Sequence, residues 1–132
     1  MKILIDTNVI LSALITQGVS YRVLEICSDK HELYISNWIV KEVKNKLSSK
    51  LKVPKDKINR VLLFLEKAFK KVLPKGNLPE VCRDANDNNI LHLAEYVNAE
   101  LIVTGDKDLL VLKKYKNVKI TNPRSFMRKY HV

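Results

Sequence analysis

The sequence predicts an α/β fold, a three-layer α/β/α sandwich around a central parallel sheet of about four strands. Three features carry that expectation. Short, almost wholly apolar runs recur along the chain, as strands buried on both faces of a parallel sheet require. Stretches with helical apolar spacing separate them, so strand and helix alternate. Each run is bounded by polar or glycine residues, where a strand gives way to a loop.

The first strand is Lys2 to Ile5, Lys-Ile-Leu-Ile, stopped by Asp6-Thr-Asn. Glu32 to Ile35, Leu101 to Thr104 and Val118 to Thr121 repeat the pattern. After Ser36 and Asn37, either able to cap a helix, Ile39, Val43 and Leu47 recur on one helical face. Pro54 opens a second helix, in which Ile58, Val61, Leu62, Leu65, Phe69 and Val72 form an apolar stripe closed by Pro74. Pro74 to Arg83, with two prolines and a glycine, reads as a connecting loop. A further helix from about Asp84 to Val97 turns Ile90, Leu91, Ala94 and Val97 inward, and short helices are expected after Asp106 and Pro123. Without an internal repeat, low-complexity tract or long linker, residues 1–132 read as one domain.

Composition narrows the function classes. The 24 Lys and Arg against 14 Asp and Glu leave a formal net charge of +10, which attracts polyanions; a merely solubilising lysine surface is the alternative. No window reaches the roughly 18 uninterrupted apolar residues of a membrane span, and Asp6, Thr7 and Asn8 cut the N-terminal apolar stretch. The expectation is a chain with no signal peptide and no membrane anchor. Cys27 and Cys82 stand far apart without a Cys-x-x-Cys or Cys-His cluster, so neither zinc nor a disulfide framework is indicated and a reducing cytoplasm is the default.

Ligand sites of parallel α/β sheets form beyond the carboxyl ends of the strands, where loops and helix N-termini gather. Four acids fall where that rule points. Asp6 ends the first strand, Asp106 follows Thr104-Gly105 at the end of another, Asp87 lies in the opening turn of its helix, and Glu42 sits in the helix after the second strand. Two carboxylates about 4 Å apart repel by roughly 4 kcal/mol at the dielectric near a protein surface, so a converging cluster needs a cation. Hard oxygen ligands suit Mg²⁺ or Mn²⁺. Such ions bind phosphate oxygens, ease the formation of hydroxide from water and stabilise a leaving oxygen, which is the chemistry of phosphodiester hydrolysis. Each acid also has a plainer reading: Asp84 and Asp87 as helix caps, Asp106 and Asp108 as turn acids, Glu42 as an ion-pair partner of Lys46. Asp6 is the hardest to explain structurally, because an acid ending an apolar strand has little to do there.

Four segments carry a resemblance: Asp6-Thr-Asn-Val, Ser36 with Glu42 in Ser-Asn-Trp-Ile-Val-Lys-Glu-Val, Asp84-Ala-Asn-Asp-Asn-Asn-Ile-Leu-His-Leu-Ala, and Thr104-Gly-Asp-Lys-Asp-Leu-Leu. In this order and spacing the chain resembles the PIN domain over nearly its whole length, and among PIN proteins the small prokaryotic, VapC-like toxins of toxin-antitoxin pairs. The resemblance implies that Asp6, Glu42, Asp87 and Asp106 are catalytic acids around one or two divalent ions, Mg²⁺ or Mn²⁺. It makes Asp108 a further ligand and Asp84 an accessory acid, and gives Asn8, Asn88 and Thr104 roles in orienting ligands, water or phosphate. It further implies an endoribonuclease acting on RNA, commonly a homodimer restrained by a protein antitoxin. One departure stands out: similar members read Asp-Pro-Asp-Asp-Asn where this chain has Asp84-Ala-Asn-Asp-Asn, which lowers the local negative charge.

Lys41, Lys44, Lys46, Lys50, Lys52, Lys55 and Lys57 concentrate in and after the helix carrying Glu42, as an RNA path or as a solvated face. Arg83 is placed for a phosphate contact or for an ion pair with a neighbouring acid. Trp38 could stack a base or pack into the core. His31, His92 and His131 show no ligand spacing and are assigned no chemistry. Two readings compete with the toxin nuclease. A non-catalytic RNA-binding module would keep the basic face without hydrolysis, and a stand-alone RNA-processing enzyme would keep hydrolysis without an antitoxin. A phosphatase using Asp6 as nucleophile ranks below both, because Asn8 stands where such enzymes place a second acid.

Overall fold

In the computed structural model, residues 1–130 are described; His131 lies outside the described residues. Lys2–Ile5 forms β1, and Ile3, Leu4 and Ile5 are buried on both its faces, as an unbroken apolar run requires. Helices α1 (Thr7–Ile15) and α2 (Val19–Lys30) follow, then β2 (Glu32–Ser36). Ser36 caps α3 (Asn37–Asn45), its Oγ accepting the Ile39 N–H, and a π turn, Lys46–Lys50, continues that helix. Helix α4 (Lys55–Ala68) leads into β3 (Lys70–Val72). After a loop come α5 (Ala85–Val97), β4 (Leu101–Val103), α6 (Lys107–Leu110), β5 (Lys114–Tyr115), β6 (Val118–Thr121) and α7 (Pro123–Tyr130).

The strands form a sheet in the order β3-β2-β1-β4-β6-β5. All neighbours pair in parallel except β5 and β6, which form an antiparallel edge hairpin. The chain leaves β1 toward β2 and β3 on one side, and leaves β4 toward β6 on the other. Right-handed crossovers therefore place α1 to α4 on one face and α5 with α6 on the opposite face. Helix packing agrees, with α1 on α2 and α3, α3 on α4, α7 on α2, and α5 against β1 and β2. The three-layer α/β/α sandwich is thus present.

Two details differ from the sequence expectation. The sheet has six strands where about four were expected, with β3 and β5 added at its edges. The helix expected to run to Val72 ends at Ala68, and Phe69 to Val72 turns into extended chain along β2. Phe69 stays in the core, so the apolar stripe is real, but its last members are carried by a strand. No single helix among the described residues is long and apolar enough to cross a membrane.

Candidate metal centre

The strand order reverses between β1 and β4, and a crevice at their carboxyl ends follows from that topology. Ile5 pairs with Val103, and the Asp6 N–H donates to the Val103 carbonyl at 3.0 Å, so Asp6 and Thr104 emerge side by side. Asp6 caps α1, its Oδ1 accepting the Thr7 N–H at 2.8 Å. Its other oxygen is fixed from β4: the fully buried Thr104 hydroxyl donates to Asp6 Oδ2 at 2.7 Å. The same hydroxyl accepts the Asp106 N–H at 3.0 Å. One threonine oxygen therefore ties the two strand-end acids together.

Asp106 caps α6 by accepting the Asp108 N–H at 2.9 Å, and Asp84 caps α5 by accepting the Asn86 N–H at 2.9 Å. Asp87, in the first turn of α5, is only 5% exposed. Asp87, Asp106 and Asp108 each offer a carboxylate oxygen lying within 4.8 Å of the others. Capping and convergence coexist at Asp106, whose Oδ1 accepts the capping hydrogen bond while its carboxylate still belongs to the trio. Asp6 stands beside this trio through Thr104. Glu42 comes from α3 on the other side of the crevice; it is half-buried and outside the trio.

Electrostatics link the members. Burial raises the Asp6 carboxyl above its ordinary range; the hydrogen bonds from Thr104 and Thr7 oppose this, while the charges of Asp106 and Glu42 add to it. Glu42 and Asp106 are therefore both near enough to act on Asp6. Asp87 is pushed up to about 7, first by burial, then by the Asp106 carboxyl against it, with the charges of Asp84 and Asp6 contributing. Its Oδ2 is buried with no hydrogen-bond partner among the described residues, as is the Thr7 hydroxyl oxygen beside Asp6. An orphaned carboxylate oxygen ordinarily costs a few kcal/mol. Facing other carboxylates, it has the environment of a cation ligand, and the all-oxygen donor set fits Mg²⁺ or Mn²⁺.

The remaining positions divide. Lys46 donates to Asn8 Oδ1 at 3.1 Å, which brings a cation to the rim beside Asp6 and gives Lys46 a partner other than Glu42. Arg83 pairs with Asp108, its Nη2 at 3.1 Å and 3.3 Å from the two carboxylate oxygens, and remains largely exposed. Asn88 is committed to the loop before α5: its Oδ1 accepts the N–H groups of Val81 and Cys82, and its Nδ2 donates to the Cys82 carbonyl. It orients the segment that carries Arg83 rather than facing the crevice. Two features lay outside sequence reasoning, the buried Thr7 hydroxyl and the Lys46–Asn8 bond. Thr7 sits inside the Asp6-Thr-Asn segment and so had a positional signal; Lys46 and Asn8 are 38 residues apart and had none.

Residues 2–108 match the protein family described as PIN domain. The uncharacterized protein MJ1680 of Methanocaldococcus jannaschii is 37% identical over 145 aligned positions, which cover 98% of this chain and 92% of that protein. In three dimensions the fold is similar to a chain in the crystal structure of VapBC2 from Rickettsia felis bound to a DNA fragment from their promoter. The TM-score is 0.63 at 20% identity, with 92% of this chain and 98% of that chain covered.

Proposed function

The chain belongs to the PIN domain family, a family of nucleases, and from that premise we propose that it is a divalent-metal-dependent endoribonuclease. The observation that carries this reading is Asp87: buried, with an unpartnered oxygen, inside a trio of carboxylates that approach within 4.8 Å. In this reading Asp6, Asp87 and Asp106 hold Mg²⁺ or Mn²⁺, with Asp108 and Glu42 completing the acidic rim. A divalent ion held there supplies charge stabilisation at the scissile phosphate and activation of the attacking water.

The protein's own part is positioning. Thr104 fixes Asp6 by accepting from one acid's backbone and donating to the other's side chain. Lys46 at Asn8 and Arg83 at Asp108 place positive charge at the edge of the acids, where the flanking phosphates of an RNA strand would run. The net charge of +10 brings the polyanion to the crevice.

Purified protein is expected to cut single-stranded RNA only with Mg²⁺ or Mn²⁺ present. Asp6→Asn and Asp106→Asn should each lose more than about 100-fold of that activity while circular dichroism and melting remain those of a folded chain. Continued cleavage by both variants would remove the assignment.

The proposal extends to a cytoplasmic, homodimeric, single-domain toxin with a protein antitoxin. The motif resemblance motivates this, together with a fold shared with a chain of the VapBC2 assembly. A small open reading frame immediately upstream, encoding a DNA-binding fold, is its test; absence of any such neighbour favours stand-alone RNA processing. One observation favours a non-catalytic RNA-binding protein: Arg83 already neutralises Asp108. That reading predicts salt-sensitive RNA binding with no metal requirement and no product.

A further inference from the structure

Trp38, Glu42, Lys46 and Lys50 follow one another at every fourth residue along α3 and the π turn, so they stand in one row on one face. The π turn keeps that row going past the end of α3, with the Leu51 N–H donating five residues back to the Lys46 carbonyl at 3.1 Å. These four, with Lys41 and Asn45, line an open pocket of about 410 Å³. Lys46 of this pocket donates to Oδ1 of Asn8, two residues beyond Asp6, so the pocket borders the rim on the Asp6 side of the candidate metal centre.

From this we infer that the pocket is a nucleotide subsite for single-stranded RNA, with a base stacked on Trp38 and the flanking phosphates held by Lys41, Lys46 and Lys50. The inference rests on the nuclease reading for the identity of its ligand. Three cations against one carboxylate suit a polyanion. Trp38 packs against the core yet stays half-buried, and what remains accessible of its indole lines a volume suited to one nucleotide rather than a helical stem. Bases in a duplex have no free face, so the subsite selects unpaired strand. Lys46, held by Asn8 at 3.1 Å, connects the subsite to the rim at Asp6, giving the strand a continuous positive margin up to the acids.

Trp38 is the chain's one tryptophan, so its emission reports this pocket alone. The test uses full-length Asp6→Asn protein with Mg²⁺, so that RNA is bound without being consumed, and an eight-nucleotide mixed-sequence RNA as probe. The single strand is expected to quench the emission saturably, whereas the same strand annealed into a duplex leaves it nearly unchanged. Added in the same background, Trp38→Ala should raise the Kd of a labelled single strand about ten-fold by anisotropy, with Trp38→Phe recovering most of the loss. Lys41→Ala with Lys50→Ala should flatten the salt dependence of binding by nearly two charges.

Unchanged emission on saturating RNA, or Trp38→Ala binding as tightly as its parent, overturns the subsite. So does a Trp38→Ala defect that Trp38→Phe shares and that comes with a lowered melting temperature, which would mark Trp38 as packing only, or emission that responds to a protein partner and never to RNA. If wild-type protein still cleaves RNA in any of these cases, the nuclease reading stands without the subsite. Quenching by RNA with no cleavage at all leaves the subsite and removes the nuclease.

Discussion

Asp87 is held well above the ordinary aspartate range by burial and by the Asp106 carboxyl against it, and its behaviour with pH follows from those surroundings. In the folded chain it keeps its proton up to about pH 7, whereas an unfolded aspartate releases it near 3.8. Without a cation, the folded state therefore loses stability as pH rises from about 4 to about 7, and the loss levels off above that. Asp87→Asn removes the penalty: its melting temperature at neutral pH should exceed wild type by roughly 5–10 °C in chelator, with a flatter pH profile and no cleavage. Thr104 works in the opposite sense. Thr104→Val leaves both Asp6 Oδ2 and the Asp106 N–H without that partner, and should cost about 2 kcal/mol or more in urea unfolding. At this scale much was legible in the sequence. An acid closing an apolar strand, as Asp6 does, has few structural uses, and Asp106 after Thr104-Gly105 repeats the arrangement on a second strand. That Glu42 stays outside the trio and that Arg83 pairs with Asp108 depend on side-chain directions that spacing does not encode.

Among the elements, those with long periodic or uninterrupted apolar patterns were readable and the short edge pieces were not. Leu65, Phe69 and Val72 keep helical spacing, and no glycine or proline intervenes before Pro74, so nothing local marks the end of α4 at Ala68. The change to β3 is a tertiary effect, since that segment gains backbone pairing with β2. β5 was hidden for a different reason. The chain turns into and out of it at Lys113 and Lys116, whose φ angles are 59° and 52°, a region where glycine or asparagine is the usual sequence signal. The loop before α5 has its own anchor in Asn88. Asn88→Ala should free Val81 and Cys82, raising amide exchange at those two positions while β1 and β4 remain protected. Cleavage should fall with it, because the same loop carries Arg83 toward Asp108.

Across the whole molecule, two features oppose one another: a surface with formal net charge +10, and a crevice where Asp87 of α5 meets Asp106 and Asp108 of the β4–α6 junction, with Asp6 tied in through Thr104. The positive exterior draws in a polyanion, and the acidic interior accepts it only with an intervening cation. The alternation of strand and helix was enough to point to the carboxyl ends of the strands; that the crevice opens between β1 and β4 follows from the strand order, which alternation alone does not fix. A cation that binds only the folded state must also stabilise it. Mg²⁺ or Mn²⁺ at about a hundred times its dissociation constant should add roughly 3 kcal/mol to the unfolding free energy, an effect absent in Asp106→Asn. The most direct test of the central claim is a calorimetric titration of Mn²⁺ into wild type, Asp87→Asn and Asp106→Asn. Saturable binding by wild type that both variants lose is the predicted result; equal binding by all three, or none by wild type, would contradict it.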